Sequence, residues 1–397
     1  MSGGSAENRA AFDEAALLAE AQRATGLSDF SEDGFREPLG TLLRSLREEA
    51  PLNEIGRATM RGRVLESLET RLKTQDWVTR HPEILDEEIA EPIVIVGLMR
   101  TGTTMLQRII ASDPRHYAAM WWETRFPAPL PDTDWSVEDP RIGPAKAEVA
   151  GILAADPKQA AIHPWDAMAP DEEIMLLEHT FFSHVAEAYT NLPTYRSWIN
   201  EQDWTPAYEY LHKLIQFLQW QKKQRGEKRE GWVLKTPAHM GYIDTLFETF
   251  PGARVIQTHR DPLETVPSAA SMNTALWDLM SDEPDAHEAG RQWSERLAWG
   301  TQRCMDSRDR LPKNRFADIW FRDALADPIA EIERVYGIFD IEMIPEARAA
   351  MEQWQRDNQR DNRPKHEYVL ADYGLSEEGI TRDFGPYRER HILGHRG

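Results

Sequence analysis

Residues 97–104, GLMRTGTT, follow directly on the apolar run PIVIV. The framing is that of a phosphate-binding loop, G-x-x-x-x-G-K-S/T. In such a loop a glycine-bounded turn joins a strand to a helix, and backbone N–H groups at the helix start hold an oxyanion. Thr103 stands where that pattern has lysine. In nucleoside triphosphate enzymes the lysine reaches the outer phosphates, and a strand-end aspartate helps to hold Mg²⁺. Here no apolar strand closes on aspartate, because ARVIQTHRD presents His259 and Arg260 before Asp261. A ligand with a single 5′-phosphate, and no metal-bound polyphosphate, suits this wiring. Arg100 supplies the cation, a bidentate partner for phosphate or sulfate. The hydroxyls of Thr101, Thr103 and Thr104 flank Gly102 and add donors.

A second anion site is legible at Arg260. Asp261, Pro262 and Glu264 form a helix start, with an N-cap aspartate, proline at the first helical position and glutamate at N3. Arg260 therefore stands at a strand end beside a helix N-terminus. Ser268 follows eight residues later.

The elements that position these residues show in the periodicity. Strands are predicted over 93–96, 232–237, 253–260 and 315–321, with helices between and after them, among them TTMLQRIIAS and DPIAEIERVYGIFD. Alternating strands and helices imply parallel β-α-β units, hence an α/β domain with a parallel central sheet covered on both faces. Residues 1–90 read as a helical N-terminal extension: Leu39, Leu42, Leu43 and Leu46 recur at helical spacing, as do residues of 53–74 up to the break at His81-Pro82. The α/β domain is expected over 91–397, with a loop-rich and helical insertion at about 125–230 that contains helical patterns over 170–189 and 205–223.

The loop resembles that of sulfotransferases that use 3′-phosphoadenosine 5′-phosphosulfate (PAPS). Cytosolic members carry K-S-G-T-T, whereas the tyrosylprotein type and a bacterial group carry R-S/T-G-T-T, matched here by Arg100-Thr101-Gly102-Thr103-Thr104. The family also places a strand-end arginine and a serine eight residues later on the donor's 3′-phosphate, matched by Arg260 and Ser268. LKTPAH (234–239) resembles a recurrent sequence of the bacterial group. The resemblance implies a P-loop-like fold and PAPS as sulfuryl donor, with no metal.

Sulfuryl transfer needs a base for the acceptor's proton and cations for charge developing on the leaving side. Arg100 takes the cationic role, electrostatic rather than acidic because a guanidinium keeps its proton. Lys235, at the end of WVLK, is a second cation. Glu123 in MWWETR is the expected base: the tyrosylprotein type has a glutamate in an E-E-T-R setting, here two residues further from the loop. Trp121 and Trp122 would desolvate it and raise its pKa. The alternative base is His163 in AAIHPWD. Asp171, Glu172 and Glu173 are read as the start of a helix, where the dipole favours acidic residues. Trp135, Trp165 and Trp198 are expected to border the acceptor pocket, and Trp220 and Trp299 to lie in the core.

Bulk composition bounds the partner. The 397 residues carry a net charge of −21, which opposes encounter with nucleic acid or polyanionic polysaccharide and favours a small neutral, cationic or apolar acceptor. Cys304 is the sole cysteine, so neither a disulfide framework nor a zinc cluster is encoded, and a reducing compartment is expected. The polar N-terminus is neither signal peptide nor anchor, and no uncharged apolar run approaches the roughly 18 residues of a membrane span. A cytoplasmic location follows as the expectation. Oligomeric state is not legible. The alternatives left open are a nucleotide kinase with a degenerate loop and a non-catalytic nucleotide-binding protein.

Overall fold

Ile93–Gly97 (β1) is β-branched almost throughout and buried at every position, as a strand covered on both faces must be. In the computed structural model, which describes residues 6–155, 164–358 and 369–395, β1 lies at the centre of a five-stranded sheet. Its companions are His116–Tyr117 (β2), Gly231–Lys235 (β3), Arg254–His259 (β4) and Phe316–Trp320 (β5), in the order β2-β3-β1-β4-β5. Every pairing is parallel, with Ile93 opposite Val233 on one side and Arg254 on the other. The period of two divides the strand between two cores. Ile93 and Ile95 join one cluster with Ile109, Ile256 and Val335, while Val94 and Val96 join a larger one on the opposite face.

The expected strands are present with ends shifted by one or two residues. β2 was not expected, since two residues are too few to show alternation. Glu14–Thr25 (α1), Arg36–Glu48 (α2) and Glu54–Arg80 (α3) form the N-terminal helices. Leu39, Leu43, Leu68 and Leu72 are fully buried in the same cluster as Val94 and Val96, so these helices share a core with one face of the sheet. Thr103–Ala111 (α4) follows the loop, and Trp121–Arg125 (α5) and Thr205–Gln224 (α6) lie within 125–230 or at its edge. Pro262–Met280 (α7) and Ala286–Arg310 (α8) pack together after β4.

One expected element is broken. The stretch 170–189 holds two one-turn helices, Ile174–Glu178 and Val185–Tyr189, rather than one long helix. Between them Phe181 has φ of 61°. The Thr180 hydroxyl donates to Leu177 O at 2.6 Å and accepts from Phe182 N at 3.0 Å, a local turn that competes with helix continuation. Tyr195 reinforces it by donating to Phe181 O at 2.6 Å.

From β1 the chain runs to β2 at one edge of the sheet, and from β3 it crosses β1 to β4 on the other side. At such a switch point the connections diverge and leave a crevice beyond the strands' carboxyl ends. The loop after β1 opens there.

Candidate functional site

Loop geometry is fixed from beneath. Gly97 has φ of 152°, and a Cβ there would stand 2.1 Å from the Thr258 hydroxyl oxygen, so only glycine fits between β1 and β4. The fully buried Thr101 donates to Leu98 O at 2.6 Å and lies 2.6 Å from the Thr258 hydroxyl. Its hydroxyl is thus spent inside the loop. Arg100 and Gly102 adopt left-handed φ of 67° and 86°, turning the chain into α4, whose first residues are Thr103 and Thr104.

Arg260 is tied to that loop. Its Nη1 donates to Arg100 O at 3.0 Å, its Nε and Nη2 meet Glu264 Oε2 at 3.0 and 2.8 Å, and its guanidinium lies 4.2 Å from the Phe321 ring centre. Asp261 caps α7 through Leu263 N at 3.1 Å and forms a bidentate pair with Arg388. Ser268 is buried two turns along the same helix.

β3 brings the second cation to the same crevice. Lys235 has no exposed side-chain surface; its Nζ donates to Glu172 Oε1 at 2.5 Å and to Thr104 Oγ1 at 3.2 Å. Thr236 donates to the other oxygen of Glu172 at 3.2 Å. Beneath them Glu173 accepts from Lys235 N at 2.8 Å and meets His239 Nε2 at 2.7 Å, and Tyr208 bonds His239 Nδ1 at 2.6 Å. Glu172 keeps about a quarter of its side chain accessible, 23%, and faces a cavity of about 260 Å³. Arg100, Thr103, Thr104 and Thr236 form the polar end of that cavity; Met99, Met240, Met272, Leu276, Leu297 and Trp299 give it an apolar body.

Its remaining wall is ionic. His184 lies between Glu187 Oε1 at 2.9 Å and Tyr242 OH at 3.0 Å. Burial, aided by Arg296, lowers the imidazole pKa to about 4, so the ring is neutral near pH 7. Burial raises the Glu187 carboxyl, but Arg296, His184 and Arg196 outweigh it and hold the group well below the ordinary range.

The structure thus gathers Arg100, Thr103, Thr104, Lys235 and Arg260 about one crevice. Glu123 is elsewhere. It lies on α5 with 4% of its surface exposed, accepts from Lys222 Nζ at 2.7 and 2.8 Å and from Met120 N at 2.8 Å, and does not line the cavity. A carboxylate held by a buried ammonium and a backbone N–H joins α5 to α6, and the expectation of a base at Glu123 does not fit that placement. His163 lies outside the described residues. The tryptophans also change places: Trp135 packs on Trp77 and Trp220, Trp165 on Trp121, and Trp198 on Phe182. Trp293 and Trp299 line the cavity instead. Glu172, passed over as a helix-start residue, is the carboxylate at the crevice. It stands just before the short helix Ile174–Glu178, as the acidic run suggested, and nothing local in PDEE points to its partner Lys235.

Among the described residues, His259, Asp318 and His391 bring three potential ligand atoms within 4.8 Å. Arg308 donates to both Asp318 oxygens, at 2.6 and 3.0 Å, so that carboxylate is already neutralised. The group does not line the cavity.

The sequence model of the sulfotransferase family matches residues 92–346, from the first residue before β1 to beyond the helix Pro328–Ile338 (α9). The chain belongs to the sulfotransferase family. It is similar over almost its whole length to two crystal structures of sulfotransferases. One is STF1 from Mycobacterium tuberculosis H37Rv, at 31% identity and a TM-score of 0.82, covering 94% of this chain and 98% of that one. The other is STF9 from Mycobacterium avium, at 26% identity and 0.86, covering 97% and 98%. The α/β architecture is therefore the P-loop-like fold of sulfotransferases. The chain is also 26% identical over 258 residues to the omega-hydroxy-beta-dihydromenaquinone-9 sulfotransferase Stf3 of Mycobacterium tuberculosis, a match that spans 63% of this chain and 64% of that relative. No helix among the described residues is long and apolar enough to cross a membrane.

Proposed function

We propose that this sulfotransferase moves a sulfuryl group from PAPS to the hydroxyl of a small apolar acceptor, with Glu172 as general base. The observation that carries the reading is the convergence of Glu172, Lys235 and Thr104 where the phosphate-type loop meets an apolar cavity. The donor fits the residues present. The loop and the start of α4 suit its 5′-phosphate, and Arg260 with Ser268 suits its 3′-phosphate. When bound, the donor supplies an activated sulfuryl group.

The chain's own residues then divide the work. Glu172 takes the acceptor's hydroxyl proton, oriented by its bonds to Lys235 and Thr236. Lys235 and Arg100 balance negative charge on the leaving side. An anion on the loop competes with Glu172 for Lys235 and leaves the carboxylate free to accept the acceptor's proton. Donor binding and base activation are thereby coupled. An apolar alcohol suits the cavity, and the relative Stf3 bears the name of an omega-hydroxy acceptor. The buried, unpaired Cys304 suits a reducing, cytoplasmic setting.

Calorimetric titration with 3′-phosphoadenosine 5′-phosphate (PAP) tests the donor, beside ADP and ATP with and without Mg²⁺. The expected result is Mg²⁺-independent binding that prefers the 3′-phosphate and weakens on the order of 10- to 100-fold in Arg260→Ala. Binding that needs Mg²⁺, or that ignores the 3′-phosphate, would falsify the assignment. Transfer from radiolabelled PAPS to primary alkanols then tests the reaction.

A further inference from the structure

α7 starts beside the loop, where Arg260 Nη1 bonds Arg100 O, and runs from there along the cavity wall. Met272 and Leu276 line the cavity. At 3.6 residues per turn Leu279 falls on the same face as both, within about 60° around the axis and about 5 Å beyond Leu276. Leu279 is not part of the cavity lining and is 38% exposed. A single exposed leucine is ordinary; this one is the next step of a stripe that begins inside the cavity.

The stripe continues on the accessible side of the cavity. Met240 and Leu297 are buried, whereas Met272, Leu276, Ala188 and Tyr189 are half-buried. Ala188 and Tyr189 end the short helix Val185–Tyr189, which packs on α7, so the lining with surface to spare lies on these two helices. The far end of α7 is held firmly. Asn53 N donates to Met280 O at 2.9 Å and Asn53 Nδ2 to Leu279 O at 3.1 Å, and a Cβ on Gly56 would stand 2.2 Å from Met280 O. The stripe is one side chain wide, with the exposed Asp278 next to Leu279. That is too narrow for a stable dimer interface, which buries roughly 800 Å² on each partner, and it suits an unbranched hydrocarbon chain.

We propose that the acceptor is a linear apolar alcohol longer than the cavity. Its hydroxyl lies at Glu172, and its chain follows α7 past Met272 and Leu276 and emerges over Leu279. This rests on the reading of the cavity as the acceptor site. Each carbon that leaves water against the stripe tightens binding by up to about fourfold, so α7 selects acceptors by length.

The test measures kcat/KM for sulfuryl transfer from PAPS to primary alkanols of four to twelve carbons, and their binding by calorimetry with PAP present. Carbon–carbon bonds of about 1.5 Å advance an extended chain by about 1.3 Å each. Met272 to Leu279, about 10 Å along the axis, is therefore about eight carbons of chain. Wild-type kcat/KM and affinity should rise with length. For Leu279→Asn the wild-type-to-variant ratio should grow with length, to on the order of fivefold at the long end. For Leu276→Asn the growth should begin about three carbons earlier, the spacing of the two residues along the axis. Ile338→Asn, which changes a similarly exposed residue at the end of α9, should run parallel to the wild type. A ratio independent of length in Leu279→Asn, or one that grows as much in Ile338→Asn, overturns the proposal. So does an unchanged profile with loss of a dimer in Leu279→Asn, which would give the stripe to a second copy of the chain. Length-dependent binding without transfer faults the assigned reaction and leaves this inference standing; transfer without length dependence does the reverse. No binding and no transfer of any alkanol faults both.

Discussion

Glu172→Gln separates the base from the scaffold. The amide keeps the side chain's shape and removes its charge and basicity. Loss of a general base costs on the order of 10²- to 10⁴-fold in kcat, or about 3 to 5 kcal/mol in the barrier. The stability cost is smaller. Removing one partner of a fully buried pair costs about 3 to 5 kcal/mol, but Glu172 is 23% exposed, and the amide oxygen still accepts from Lys235. A loss of about 1 to 2 kcal/mol is expected. The neutral amide holds Lys235 less tightly than the carboxylate does, so PAP should bind as tightly as in the wild type or several-fold tighter. Glu123→Gln is the paired control. Glu123 and Lys222 are 6% and 4% exposed, so this substitution should cost about 3 kcal/mol in stability and leave kcat of the folded enzyme within about threefold. The assay is single-turnover transfer from PAPS to a primary alkanol, with urea unfolding and PAP calorimetry on the same preparations. If Glu172→Gln turns over within about threefold of the wild type, or if folded Glu123→Gln is inactive, the placement of the base is refuted.

Two further outcomes follow from packing and from protonation. Gly97→Ala puts a Cβ 2.1 Å from the Thr258 hydroxyl and 2.8 Å from Thr258 O, and should lower stability by about 3 kcal/mol; an unchanged urea midpoint would show that β1 and β4 separate more easily than this contact implies. Burial lowers the pKa of His116, His179 and His184 to about 4 each. Unfolded rings protonate near 6.5 and native ones do not, so the unfolded state binds more protons between those values and stability falls as pH drops through that window. From pH 7 to 5 the expected loss is ~2 kcal/mol per ring, read as a falling urea midpoint at constant ionic strength; a midpoint flat across that range contradicts it.

Why the loop after β1 and the helix start after β4 were legible and the cavity's carboxylate was not has a physical cause. The loop, β1 and the capped start of α7 are local patterns: β-branched runs, Gly97 and Gly102 at their turns, and Asp261-Pro262 before a helix. Each is written in a dozen consecutive residues, and the parallel sheet then brings their carboxyl ends together. The cavity is assembled from distant pieces. Glu123 looked suitable because its neighbours in sequence are tryptophans, but what fixes its role is Lys222, 99 residues away. Glu172 does stand just before the short helix Ile174–Glu178, as its acidic run suggested; what no local pattern carries is its partner Lys235, 63 residues away. The cavity tryptophans, Trp293 on α8 and Trp299 one and a half turns later, show the same limit, since helical spacing marks a buried face without saying whether that face meets side chains or a ligand. A cavity wall and a core are one pattern in sequence. They part only once the helices are in place and their packing leaves a cavity, lined here by Leu276 on α7 and Leu297 on α8.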